Sequence, residues 1–224
     1  MKRSRLPALG ALLVLGGALT PSASSAAPWS YTLGAGFASP YALTSNDYSD
    51  AFGATWTAAG AAMHPINTRL SLRLSAGWTR HDRNAAVALI PEDPPPQLEQ
   101  RVSIVPLGAG VRWNVAAEPA RGPFLDLAPV LVYSRWYEHF RQVGQDLNGN
   151  VIRRDETAAR SKLGAGVELG FAVNVATART VHPEFSVHYL AATGPDGSAI
   201  PSLEGRPVHG VQQLSVVVSA AWTK

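Results

Sequence analysis

Three residues near the C-terminal end of the sequence have the types and the spacing of a catalytic group. Glu184, Ser186 and His188 occupy alternate positions, and alternate residues of a β-strand project from the same face. A carboxylate, a hydroxyl and an imidazole on one surface are the components of a nucleophilic triad. Structural ion-pair networks gather the same groups. The sequence leaves both interpretations open, with the network favoured and catalysis the weaker alternative.

Five arginines in the middle of the chain form a second candidate site. They are Arg135, Arg141, Arg153, Arg154 and Arg160. The planar fork of an arginine side chain directs two N–H groups at the oxygens of a phosphate. The segment is therefore a candidate for contacts with lipopolysaccharide. The alternative is a set of solvated charges balanced by Asp146, Asp155 and Glu156.

The segment that begins at Asp146 looks at first like a calcium-binding loop. Gly149 stands too early for such a loop and the twelfth position is not Glu, so the pattern fails. Asn148 and Gly149 instead predict a type I′ hairpin turn that extends the two flanking strands outward. The chain has no cysteine, which excludes disulfides and thiolate metal sites. No metal and no cofactor is expected.

The formal net charge of +3 comes from the N-terminus, where Lys2, Arg3 and Arg5 stand. Beyond these residues, basic and acidic side chains are equal in number. A nucleic-acid-binding domain carries a clustered excess of lysine and arginine in its folded part. The distribution of charge therefore argues against nucleic acid as a partner.

The N-terminus has the three parts of a secretory signal peptide. The cationic residues are followed by an apolar run at 6–19 and then by small residues up to Ala27. The apolar run is shorter than the roughly 20 residues that a membrane-spanning helix needs. We predict a cleaved signal peptide over residues 1–27 and a mature domain over residues 28–224, exported to the bacterial outer membrane.

The mature chain alternates apolar residues with small or polar ones. In residues 161–175 seven consecutive apolar side chains fall on one side of an extended chain, which excludes a helix. Eight segments follow this pattern and are predicted strands. They are residues 29–38, 52–63, 69–81, 101–115, 124–137, 161–175, 181–190 and 211–222.

The connections between these strands alternate in length. Short turns are predicted at residues 64–67, 116–122 and 176–180, and longer polar loops at 39–51, 82–100, 138–159 and 191–210. An even number of strands with short turns at one end and long loops at the other is typical of bacterial outer-membrane barrels. The sequence therefore predicts an all-β, eight-stranded antiparallel up-and-down transmembrane β-barrel, with both termini in the periplasm. The alternative is a secreted soluble barrel or sandwich with its apolar face inside.

The aromatic residues support the membrane alternative, because they collect near the two ends of the strands, as in barrels with interfacial girdles. At the periplasmic end the predicted girdle contains Trp29, Tyr31, Trp113, Phe171 and Trp222. At the loop end it contains Phe37, Phe52, Trp78, Tyr133, Trp136, Tyr137 and Tyr189. Trp56 is expected in the middle of its strand and is the exception.

By the same alternation, a set of charged side chains should point into the barrel. The predicted lumen network contains Arg73, Arg112, Asp126, Lys162, Glu168, Glu184 and His188; Arg69 is also predicted to point inward, with His182 nearby. Turns symmetric about Pro119 and Ala178 would place Arg112 opposite Asp126 and Glu168 opposite His188. Charges in such a place must be paired, so the network should fill a polar lumen and block a water channel.

Two prolines conflict with a regular ladder. Pro106 and Pro129 lie inside predicted strands. Proline lacks the backbone N–H that a ladder needs and is usually confined to edge strands, but a closed barrel has no edge strand. We predict a bulge or a local kink at each.

The mature chain resembles the small eight-stranded outer-membrane proteins of the OmpA, OmpX and OmpW kind. The resemblance is carried by IVPLGAGVRWNV at 104–115, GPFLDLAPVLVYSRWYE at 122–138 and KLGAGVELGFAV at 162–173. It implies recognition by the outer-membrane insertion machinery. The sequence departs from the usual aromatic C-terminal residue by ending in Trp222, Thr223 and Lys224.

Residues 185–194 loosely resemble a region of the outer-membrane lipid A deacylases, which use a His-x-Ser pair in their seventh strand. Leu190 stands where that pair requires its serine.

Three functions thus remain open. The first is a monomeric, largely plugged barrel with a structural or surface-binding role among outer-membrane lipids. The second is a narrow passage for small or hydrophobic molecules, as in OmpW-like proteins, and the third is a lipid A-modifying enzyme.

Overall fold

The fold was analysed in a computed structural model of the chain. The structure describes residues 28–41, 52–86, 97–116, 122–145, 149, 151–175, 180–194 and 210–223. The predicted signal peptide lies outside the described residues. Within those ranges, no helix is long and apolar enough to cross a membrane.

Eight strands form one closed antiparallel barrel, in which each strand pairs with the next and β8 pairs with β1. The strands are β1 (Ser30–Pro40), β2 (Thr55–Pro65), β3 (Leu70–Ala86), β4 (Gln97–Asn114), β5 (Phe124–Gln145), β6 (Val151–Asn174), β7 (Val181–Ala192) and β8 (Val211–Thr223). The predicted fold class and all eight strands are confirmed. The strand ends near Pro65, Asn114 and Asn174 are called the turn end below, and the opposite ends the loop end.

The outward face of the barrel is apolar. Leu163 is 65% exposed, Leu131 54% and Leu169 49%, and each alternates with an inward residue on its strand. An exposed apolar surface that surrounds the whole barrel is stable only when lipid covers it. A closed barrel pairs every backbone group of its strands, which permits it to cross a bilayer, and barrels that do so carry their apolar side chains on the outward face. The closed eight-stranded barrel with its outward apolar band therefore has the architecture of the small outer-membrane barrels.

The aromatic girdles differ from the predicted ones in three residues. Phe52 and Trp136 are buried inside the barrel, where their rings meet edge to face with centroids 5.6 Å apart. Trp56 is 64% exposed and pairs with Phe37 near the loop end, with centroids 4.2 Å apart. Because β2 begins at Thr55, Trp56 stands near the end of its strand, so the prediction that it lies at mid-strand is wrong.

The four central strands are longer than predicted at the loop end. β3 and β4 remain paired as far as Ala86 and Gln97, and β5 and β6 as far as Gln145 and Val151. Residues 82–86 and 97–100 of the first predicted loop, and 138–145 and 151–159 of the second, are therefore strand, and the predicted outward extension of β5 and β6 is confirmed. The turn type at Asn148 lies outside the described residues, although Gly149 has a φ of 79°.

The prolines interrupt the ladder without a bulge. Pro106 pairs with Val132 of β5, but the pairing of β3 with β4 lapses at this point and resumes in the same register. Pro129 pairs with Val167 of β6, and the β4 and β5 pairing lapses beside it. A bulge would add one residue to one strand and shift the register. The bulge in the predicted choice of a bulge or a kink is therefore wrong, because the register is the same before and after each proline.

Candidate functional site in the barrel interior

Arg112 is the centre of a group of buried ion pairs inside the barrel. Its Nε and Nη2 donate to the two carboxylate oxygens of Asp126 on β5, both at 2.8 Å. Its Nη1 and Nη2 donate to the carboxylate of Glu184 on β7, at 2.6 and 3.1 Å. The guanidinium also lies 5.1 Å from the centre of the Phe124 ring. One side chain thus joins β4 to its neighbour and to a strand across the lumen.

Arg73 on β3 makes a second connection across the lumen. Its Nη1 donates to Glu168 Oε1 on β6 at 2.8 Å, and its Nε lies 3.4 Å from Asp126 Oδ2. His188 Nδ1 on β7 lies 3.1 Å from the same Glu168 oxygen. Arg73 Nε and His188 Nδ1 have no hydrogen-bond partner among the described residues, so these two contacts are close approaches only. We call Arg73, Arg112, Asp126, Glu168, Glu184 and His188 the ionic layer.

The ionic layer contains more carboxylates than guanidinium groups. Three carboxylates face two guanidinium groups, and the His188 imidazole lies beside Glu168. Both arginines and all three carboxylates are buried. Buried ions cost several kcal/mol each unless they are paired. The pairing just described therefore explains how the barrel tolerates them.

The register explains which predicted partners meet directly. Arg112 stands opposite Asp126, the residue that symmetry about Pro119 places there. His188 stands opposite Gly170 and not opposite Glu168, so the pairing expected from symmetry about Ala178 is wrong. His188 approaches Glu168 diagonally, because cross-strand neighbours two residues apart are within reach of long side chains.

Two other predicted lumen residues lie apart from this layer. Lys162 projects from the inward face of β6 but stands closer to the loop end than Glu168, and it has a partner of its own. Arg69 is exposed beside the first residue of β3. Neither side chain is part of the ion pairs that define the ionic layer.

The three residues with triad spacing do not assemble as a triad. Glu184 is held by Arg112 through both carboxylate oxygens. Among the contacts of the described residues, no hydrogen bond joins Ser186 to His188. All three side chains also face the lumen, away from a lipid substrate. The geometry therefore favours the ion-pair network over nucleophilic catalysis.

An apolar layer lies above the ionic layer, toward the loop end. It consists of Phe52, Val102, Ile104, Ala128, Val130, Val132, Trp136, Leu190 and Val211, all buried. A second, smaller apolar group of Leu98 and Phe140 follows further out. The expectation of a uniformly polar lumen is therefore wrong. The sequence signal was present in β5, where both alternating sets of residues around Val130 and Val132 are apolar.

A cavity of about 50 Å³ remains beside the ionic layer, toward β1, β2 and β8. Its walls include many small or hydroxylated residues, among them Thr32, Ala61, Ser75 and Ser219, and the ionic-layer residues Arg73, Glu168, Glu184 and His188 line it as well. Ser75 Oγ and Gln213 Oε1 are buried in this region without a protein hydrogen-bond partner. The volume is enough for a few water molecules, and water commonly satisfies such groups.

The predicted arginine patch is divided between two faces of the β5 and β6 hairpin. Arg135, Arg141 and Arg153 are exposed on the outward face. Arg154 lies on the inward face, where it pairs with Glu156 and stacks over the Phe140 ring. Arg160, opposite the inward Trp136, is on that face too and has a partner. The five arginines therefore do not form one surface.

A charged group on the outward face of β3 and β4 was missed by the sequence analysis. Arg101 Nε donates to Asp82 Oδ1 at 2.7 Å, and Arg80 Nε donates to Asp82 Oδ2 at 3.1 Å. Burial of Asp82 acts to raise its pKa, but these hydrogen bonds outweigh it and hold the pKa below its usual value. Arg101 also donates to Glu99 Oε1 at 3.1 Å.

In the described part of the chain, no three histidine, aspartate or glutamate side chains converge as metal ligands. No protein-family model matches the sequence, and no curated protein does either.

Solved structures of outer-membrane proteins are similar in fold. A major outer-membrane protein from Thermus thermophilus has a TM-score of 0.45 and 11% identity, covering 88% of this chain and 99% of that one. Neisserial surface protein A has a TM-score of 0.42 and 14% identity, covering 87% and 96%. OprG from Pseudomonas aeruginosa has a TM-score of 0.40 and 11% identity, covering 89% and 97%. Likeness at this level says nothing about function.

Proposed function

We propose that the protein is an outer-membrane barrel whose lumen is closed to solutes, with a structural or surface-binding role. The observation that carries the proposal is the stack of two layers inside the barrel. The ionic layer joins strands across the lumen, and the apolar layer fills the space above it. Export of the chain would use the predicted signal peptide, residues 1–27.

Each layer opposes transport for a different reason. A solute that passes the ionic layer must separate Arg112 from Asp126 or Glu184, and each separation leaves buried charge without a partner. A polar solute that reaches the apolar layer loses its water without new hydrogen bonds. Because the layers are in series, either one is sufficient to stop conduction.

A second function is favoured by the cavity beside the ionic layer. The small side chains in its walls, among them Ala59, Gly60 and Ala61 of β2, leave this part of the lumen unfilled. A passage for small molecules would follow this side and would need only a modest movement of the side chains at its ends. This alternative predicts transport that depends on the cavity.

A liposome swelling assay separates the two functions. Vesicles that contain the purified protein are placed in an isosmotic solution of a small sugar, and a closed lumen predicts the same swelling rate as protein-free vesicles. Faster swelling would contradict the closed lumen. In that case Ala61→Leu, which fills the cavity, should abolish the swelling, whereas Ala62→Leu on the outward face of the same strand should leave it unchanged.

A further inference from the structure

A row of polar side chains lies just beyond the loop-end aromatic girdle, on the outward face of three adjacent strands. Arg80 on β3 pairs with Ser103 on β4, and Ser103 pairs with Arg135 on β5. Each arginine stands two residues beyond a girdle aromatic on its own strand, Trp78 and Tyr133 respectively. The row therefore lies where the headgroups of the outer leaflet meet the barrel.

The geometry of the row allows both arginines to reach one ligand. Neighbouring strands are about 4.8 Å apart, so the backbones of Arg80 and Arg135 are separated by roughly 10 Å, with Ser103 between them. Arginine side chains are long enough to converge over that distance. The hydroxyl of Ser103 is placed to donate to the same ligand.

The charges around the row leave part of its positive charge uncompensated. Arg101, diagonal to both arginines, shares Asp82 with Arg80 and also binds Glu99. The side chains of Arg80 and Arg101 are 39% and 37% exposed. Arg135 is exposed and forms no ion pair with any residue that the structure describes. Within the part of the chain that the structure describes, three guanidinium groups thus face two carboxylates, and the fork of Arg135 has no carboxylate partner there.

We propose that Arg80, Ser103 and Arg135 bind the phosphate group of a lipid in the outer leaflet. Guanidinium forks and a hydroxyl match the oxygens of a phosphate, and the row lies one step above the aromatic residues that meet the membrane interface. A lipid is the source, because the row is continuous with the lipid-covered face and not with the lumen. This proposal rests on the proposed function, in which the barrel lies in the outer membrane. It names a lipid phosphate as the ligand of the surface-binding role.

The two remaining outward arginines of the hairpin are natural controls. Arg141 stands six residues beyond Arg135 on β5, about 20 Å further along the strand. Arg153 pairs with Val143, further out again. Neither side chain reaches the headgroup that touches the row, so substitutions there should leave lipid retention unchanged.

Native mass spectrometry of the purified protein with added lipid A tests the proposal. The wild type should retain phosphorylated lipid A. It should retain neither the dephosphorylated lipid nor inorganic phosphate added alone. Arg80→Gln and Arg135→Gln should each weaken retention by about tenfold, the effect of one charge-assisted hydrogen bond. Arg141→Gln should match the wild type. Asp82→Asn, which frees Arg80 and Arg101 from their competing carboxylate, should strengthen retention.

Two results would overturn the proposal. One is equal retention by wild type, Arg80→Gln and Arg135→Gln, and the other is equal retention of the phosphorylated and dephosphorylated lipids. A shift in gel mobility between unboiled and boiled samples verifies that each variant is a folded barrel. Swelling of vesicles that contain the wild type would refute the closed lumen and leave this lipid result unaffected, so the two proposals fail separately.

Discussion

At the scale of single residues, the ionic layer depends on Arg112 more than on any other side chain described here. Its guanidinium makes two hydrogen bonds to Asp126 and two to Glu184. Both carboxylates are buried, so they have little water to replace a lost partner. Removal of the arginine therefore leaves two adjacent negative charges inside the barrel.

Arg112→Ala should lower the free energy of unfolding by about 3–5 kcal/mol, the cost of breaking a buried ion pair from one side. Chemical denaturation of the folded barrel, followed by the loss of its unboiled gel mobility, measures the change. Arg69→Ala is the matched control, because Arg69 is exposed at the turn end and should cost no more than about 0.5 kcal/mol. Equal effects of the two substitutions would contradict a structural role for the ionic layer.

The sequence predicted the direction of the lumen side chains better than their contacts. Alternation alone places Arg112 and Asp126 inside, and the turn between their strands places them opposite each other. The contact of His188 with Glu168 depends on the register of β6 and β7, which the sequence of residues 176–180 does not specify. Contacts across the lumen, such as Arg73 with Glu168, depend on the closed shape of the barrel and on no local pattern.

At the scale of elements, the seam between β1 and β8 depends on glycine. A Cβ atom at Gly36 would overlap the backbone carbonyl oxygen of Val216, and one at Gly34 would overlap that of Val218. These strands close the barrel, and they approach each other too closely at these positions for any side chain. Glycine in a strand is often found where another backbone comes this near.

Gly36→Ala should therefore hinder closure of the barrel. Overpacking of this kind typically costs about 1–3 kcal/mol, because the backbone of β8 must move. Refolding into detergent, scored as the fraction of heat-shifted protein on a gel, measures the effect. Gly53→Ala is the control, since a Cβ there meets no atom within 4 Å. Closure that is equally efficient in both variants would be inconsistent with a tight seam.

The elements were predicted in number and order but not in length. Within the membrane, one face of each strand must be apolar, and the alternation marks the strand clearly. Beyond the girdle that requirement ends, so residues 82–86 and 138–145 look like polar loop although they remain paired. The apolar layer was missed for the opposite reason. In β5 both faces are apolar, so alternation alone does not show that Trp136 points into the lumen and not into the girdle.

At the scale of the whole molecule, the barrel has three surfaces with separate tasks. The outward apolar band is proposed to meet lipid, the row of Arg80, Ser103 and Arg135 to bind a lipid phosphate, and the interior to stop solutes. The interior decides whether the protein is a closed barrel or a channel. Its two layers act in series, so loss of the apolar layer alone should not open the lumen.

Single-channel recording in a planar bilayer tests the closed interior most directly. The wild type should insert without discrete conductance steps, and the double variant Phe52→Ala with Trp136→Ala should also remain silent, because the ionic layer below is intact. Both substituted side chains belong to the apolar layer only, so the variant tests whether the ionic layer alone keeps the lumen closed. Reproducible conductance steps from the wild-type protein would contradict the account.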